Sequence, residues 1–172
     1  HRLRSAETFA LCCGIIVASF GALDWLDWLS GSGVLAAHSR YTATSPLAAL
    51  CFVCTGVAIV FAVRRKYRTA RLLAAAVAVL VVFNLGLFAV GGEEWPAQMF
   101  SPKSSQAEHA VMSWATSLCF ALAALAIWLF HARPRRWVAV AAVSASIGLV
   151  VVAVSLLGML FDVGAIYSVP YF

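Results

Sequence analysis

Long apolar runs alternate along this chain with short polar or charged stretches. Each run is continuous, and none alternates in the manner of a half-buried strand. A membrane-crossing helix needs roughly 20 predominantly apolar residues, and five segments meet that length: 8–29, 46–63, 72–91, 110–130 and 137–161. A transmembrane barrel would show shorter, alternating segments. Backbone groups in lipid must bond within their own segment, so continuous apolar runs predict helices. Composition sharpens this. The chain is 63% hydrophobic and 11% charged, against roughly 45–50% and about 25% in soluble domains. A soluble globular domain and a disordered chain are both excluded. The expectation is an all-α polytopic membrane protein, with residues 1–172 forming one transmembrane domain.

Charge sets the predicted orientation. Arg2 and Arg4 precede the first run. Arg64, Arg65, Lys66, Arg68 and Arg71 join the second to the third, and Arg133, Arg135 and Arg136 join the fourth to the fifth. Only Arg40 and Lys103 fall on the other side. Basic loops stay in the cytoplasm, which predicts an inside N-terminus and an outside C-terminus. Segments 30–45 and 92–109 are then outer loops. Glu93, Glu94, Glu108 and Asp162 agree, with Asp24 and Asp27 near the outer end of the first run. The basic loops read as a topology signal with attraction to anionic lipid, not as a nucleic-acid surface. No removable signal peptide is visible, and His1 in place of an initiator Met predicts residues upstream.

The second and fourth helices open alike. Ser45-Pro-Leu-Ala-Ala-Leu-Cys-Phe52 and Ser113-Trp-Ala-Thr-Ser-Leu-Cys-Phe120 are 68 residues apart, and Leu50-Cys51-Phe52 maps onto Leu118-Cys119-Phe120. Ser45 suits an N-cap and Pro46 the first helical position. Ser113 is placed to do the same, with a softer boundary between Met112 and Trp114. The predicted unit is an ascending helix, an outer loop and a capped descending helix. Unit one spans about 8–63 and unit two about 72–130. A half unit covers about 137–172, and its missing partner predicts a chain that continues beyond Phe172. Small residues along each helix favour close packing.

The segment Ser45-Pro-Leu-Ala-Ala-Leu-Cys-Phe-Val-Cys-Thr-Gly-Val-Ala resembles a stretch, Met-Ser-Pro-x-Thr-Ala-Leu-x-Phe-Leu-Leu-x-Gly-x-Ala, that opens descending helices in a family of bacterial membrane proteins. That family is the multi-helix N-terminal sensor region ahead of histidine kinase, diguanylate cyclase and phosphodiesterase modules. Thr44 stands for its Met and Ala48 for its Thr. The second copy keeps Met112-Ser113 but has Trp114 for Pro. The tail Leu157-Gly-Met-Leu-Phe-Asp-Val-Gly-Ala-Ile-Tyr-Ser-Val-Pro-Tyr-Phe172 is similar to the stretch before the family's third copy. The resemblance covers about 44–172 and rests on capping and packing motifs. It implies a scaffold, a bacterial inner-membrane location, a dimer and a cytoplasmic output module, but no ligand residues.

Few residues carry candidate chemistry. Asp24 and Asp27 lie at i, i+3 beside Trp25 and Trp28, where paired carboxylates hold a proton or cation. The flanking tryptophans favour a solvated pair at the membrane interface instead. A ligand pocket under the outer loops would be bordered by Asp24, Asp27, Trp28, Glu93, Glu94 and Trp95. His38 and His109 each precede a repeat motif and are weak candidates for metal or haem ligation; solvated loop histidines are the plainer reading. Asn84, the clearest mid-span polar residue, is placed for an interhelical hydrogen bond. Cys12, Cys13, Cys51, Cys54 and Cys119 all fall inside predicted spans, which is packing and not a disulfide framework. Cys51 and Cys54 at i, i+3 are the one conceivable soft-metal pair.

No nucleophile elbow, phosphate loop or zinc motif points to an enzyme. The absence of a lysine within any span argues against a retinal Schiff base. The sequence names no cofactor. Two readings follow. One is a non-catalytic sensory or regulatory module that biases a cytoplasmic output domain. The other is an accessory subunit of a larger respiratory or photosynthetic assembly. Expected partners are membrane lipids and either a second copy or neighbouring membrane subunits, with no nucleic acid. A transporter is the weakest option, since no span is clearly broken.

Overall fold

The computed structural model describes residues 2–30, 45–90, 112–130, 140–148 and 150. These residues are all-helical. Helix α1 is Arg2–Ser30, α2 is Pro46–Val63, α3 is Tyr67–Val90 and α4 is Trp114–Leu129, with a fifth helical stretch at 140–148. Three helices have the length and apolarity to cross a membrane: Glu7–Ser30 within α1, Pro46–Val63, and Tyr67–Leu87 within α3. The chain is therefore a membrane protein by the composition of its helices. Helix α4 is apolar but has 16 residues, about 24 Å at 1.5 Å per residue.

The predicted boundaries hold best where a cap fixes them. Helix α2 matches its predicted run at both ends. The Ser45 hydroxyl accepts from the Ala48 N–H at 3.2 Å, and Pro46 opens the helix where its missing N–H costs nothing. Helix α4 begins at Trp114, four residues later than expected, because Ser113 is its N-cap and accepts from the Thr116 N–H. Helix α3 starts at Tyr67, five residues early, so Arg68 and Arg71 are helical. Helix α1 likewise starts at Arg2 instead of residue 8.

Between α2 and α3 the chain turns on Arg64, Arg65 and Lys66. The Lys66 N–H donates to the Phe61 carbonyl at 2.9 Å and the Arg65 N–H to the Ala62 carbonyl at 3.0 Å. That pair of bonds is a Schellman closure, whose left-handed residue is usually glycine. Here it is Arg65, with φ 59°.

Helix α1 packs on α2, α2 on α3 and α4, and α3 on α4. A core joins Leu47, Ala48 and Cys51 of α2, Ala74, Val77 and Val81 of α3, Met112, and Phe120 and Ala124 of α4. The α1–α2 crossing is tighter. A Cβ on Gly56 would sit 2.5 Å from the Gly14 carbonyl oxygen and from the Ala18 nitrogen. A Cβ on Gly21 would sit 2.7 Å from the Ala49 carbonyl oxygen. Backbones meet there because no side chain intervenes, the small-residue packing used where lipid removes a hydrophobic drive between helices. The outward faces carry exposed Phe9, Ile16 and Leu23 on α1 and Leu72, Val79 and Val82 on α3.

Candidate functional site

Polar groups are scarce inside this bundle, so each buried one is informative. Asn84 is wholly buried on α3. Its Nδ2 donates to the Met112 carbonyl at 3.0 Å and to the Ser117 hydroxyl at 2.9 Å. Its Oδ1 accepts from the Met112 N–H at 2.9 Å. The side-chain amide thus pairs with both main-chain groups of one residue, as a neighbouring strand would. Ser117 passes its own proton to the Ser113 carbonyl at 3.1 Å, and the Ser113 and Thr116 hydroxyls lie 2.8 Å apart. Asn84 does bridge helices, as its position predicted. Its target, the main chain just before α4, was not legible in the sequence. The Ser113, Thr116, Ser117 cluster at the head of an apolar helix was the available signal.

The second polar centre lies on α1. Asp24 and Trp28 are buried, at 8% and 5% exposure, and Asp27 is half-buried. The solvated pair favoured by the flanking tryptophans is therefore corrected for Asp24. Gly21, one turn earlier, lets α1 close on α2 and carries Asp24 into the packed face. Ser30, at the end of the same helix, donates to the Asp27 carbonyl at 3.0 Å.

The buried faces of α1 and α3 share a register. A shift of 60 residues carries Gly14, Gly21 and Asp24 onto Ala74, Val81 and Asn84, and all six are buried. The capped starts of α2 and α4 are 68 residues apart, so the segment between α3 and α4 is eight residues longer than that between α1 and α2. Asp24 thus stands at the position Asn84 occupies on α3. Phe52 and Phe120, matched by the 68-residue shift, touch edge to face with ring centres 4.9 Å apart. Phe20 of α1 meets Phe52 in the same manner at 6.1 Å.

No known family, curated protein or solved structure matches this chain.

The other sequence candidates divide cleanly. Cys51 and Phe120 are buried in the core and Phe52 packs against it, Leu50 and Cys119 are half-buried helix residues, and Leu118 is exposed. All five cysteines are free thiols. No group of three or more His, Cys, Asp or Glu side chains gathers among the described residues. His38, His109, Glu93, Glu94 and Trp95 lie outside the described residues, as do the segments 31–44 and 91–111 to which they belong. Thr55 Oγ1 is buried with no hydrogen-bond partner among the described residues.

Proposed function

We propose that this chain is a non-catalytic sensory or regulatory module of the bacterial inner membrane, built from two helix pairs and a half pair, with its N-terminus inside. It biases a cytoplasmic output module through small movements of packed helices. The observation that carries this reading is the doubled register: Asp24 and Asn84 on ascending helices, Ser45 and Ser113 capping descending ones, and Phe52 against Phe120 between them. Repeats of one orientation are related by an axis along the membrane normal. In this reading a signal shifts the interface between like units from one packing to another. The resemblance of the Ser45 and Ser113 segments to sensor-region motifs points the same way and makes a dimer the working state.

Lipid-facing apolar surface on α1 and α3, without broken spans among the described helices, fits a scaffold that moves as packed rods. The mass of the polypeptide in its own membranes, measured by native mass spectrometry in mild detergent, tests the reading. A chain well above 18.4 kDa carrying a kinase, cyclase or phosphodiesterase module supports it. A chain near that mass travelling with other subunits or a pigment overturns it in favour of an accessory subunit.

A further inference from the structure

The turn between α2 and α3 concentrates charge beyond what a connection requires. Arg64, Arg65, Lys66, Arg68 and Arg71 fall within eight residues. The first four are exposed. Arg71 is half-buried, and its Nε is out of solvent with no hydrogen-bond partner among the described residues. The only described acid at this end of the bundle is Glu7, which is exposed on α1. Lys66 lies 5.9 Å from the centre of the Phe61 ring and so keeps its ammonium at the edge of the apolar helix. Arg65 holds a left-handed conformation that glycine adopts freely. Arg65 thus places a cation at the position a Schellman closure usually gives to glycine.

Directly below the charge, the lipid-facing side of α3 continues as Leu72, Val79 and Phe83, which are 71%, 67% and 44% exposed. Arg68, Leu72, Val79 and Phe83 follow steps of four, seven and four, one helix face. A cationic head above an apolar stripe is the complement of one molecule, an anionic phospholipid. A free anion would use the head alone.

We propose that the α2–α3 turn is a binding site for the phosphate headgroup of an anionic phospholipid, with an acyl chain along the Leu72–Phe83 face of α3. The assignment requires only that α2 and α3 cross the membrane, and it stands apart from the signalling reading. Each basic side chain near an anionic surface contributes about a fivefold factor in binding.

The test places the full chain in nanodiscs of equal parts phosphatidylglycerol and phosphatidylcholine and counts retained lipids by native mass spectrometry. Wild type is expected to retain the anionic lipid on the order of tenfold more than the zwitterionic one. R64A/R65G/K66A, which keeps the turn compatible with its left-handed residue, is expected to lower the ratio severalfold, with Arg68 and Arg71 still in place. R133A/R135A/R136A removes the same charge elsewhere and is expected to leave most of the preference intact. Circular dichroism establishes that each variant is folded. A wild-type ratio near one overturns the proposal. So does an equal loss in both variants, which would mean diffuse attraction. Displacement of the lipid by millimolar inorganic phosphate would also overturn it, in favour of a free-anion site.

Discussion

The side chain of Asn84 pairs with both the N–H and the carbonyl of Met112, 28 residues away, at 2.9 and 3.0 Å. That relationship fixes where the segment before α4 joins α3. Asn84→Ala removes one acceptor and two donors from a buried site. The expected loss is about 2–4 kcal/mol, since buried main-chain groups left unmatched cost about 1–3 kcal/mol each. Asn84→Asp, as the carboxylate, keeps the acceptor but loses both donations and faces the Met112 carbonyl, so it is expected to be no better than Ala. Ser117→Ala breaks fewer bonds and should cost about 1 kcal/mol. Reversible unfolding in detergent micelles, comparing the three variants, checks the order.

Glycine substitutions should separate contact from lipid exposure. Gly56→Ala places a methyl 2.5 Å from the Gly14 oxygen and the Ala18 nitrogen, and backbone atoms cannot rotate away. Helices α1 and α2 must part, with an expected loss of about 1–3 kcal/mol. Gly86→Ala meets nothing within 4 Å and should be neutral or gain up to about 1 kcal/mol from helix propensity. Thermal unfolding of the two variants side by side tests the contrast. Equal effects would mean α1 and α2 are not in backbone contact.

The two caps differ in their surroundings. Ser45 is buried and Ser113 is exposed, although each hydroxyl accepts an N–H three residues on at 3.2 Å. Loss of a cap costs about 1 kcal/mol, and a buried N–H left bare costs more. Ser45→Ala is therefore expected to destabilise more than Ser113→Ala. Amide hydrogen exchange at Ala48 and Thr116 reports each cap directly.

Arg65 sits at φ 59°, where a side chain costs roughly 1–2 kcal/mol relative to glycine. Arg65→Gly is expected to raise stability by about 1 kcal/mol in neutral detergent. In membranes rich in anionic lipid the gain should shrink as the lost cation offsets it. The unfolding midpoint measured in both environments gives the sign of each effect.

Phe52 and Phe120 provide a measure of contact between α2 and α4. A double-mutant cycle with Phe52→Leu and Phe120→Leu is expected to show coupling of about 0.5–1.5 kcal/mol. Phe20 meets only Phe52 in the ring contacts of the described residues. Phe20→Leu with Phe120→Leu should therefore be additive. Coupling in the second pair but not the first would mean that α2 and α4 do not meet as described.

Sequence alone determined that the chain is helical, where α2 begins and ends, that Ser45 caps it, and that a basic stretch joins it to α3. Those features are local. Hydropathy counts residues, a serine before a proline marks a helix start, and a block of arginines cannot remain in hydrocarbon. Asn84 was legible as a bridging residue for the same reason, being polar amid apolar neighbours. What only the tertiary structure decided was which face of each helix turns inward. In a soluble helix the polar face points away from the core and gives the answer. Here every face is apolar, and Gly14, Gly21 and Gly56 look no different from Gly86 until α1 is laid against α2. The burial of Asp24 and the anchoring of Met112 by Asn84 followed from that packing. Neither could be read from spacing, because each depends on a partner supplied by another helix.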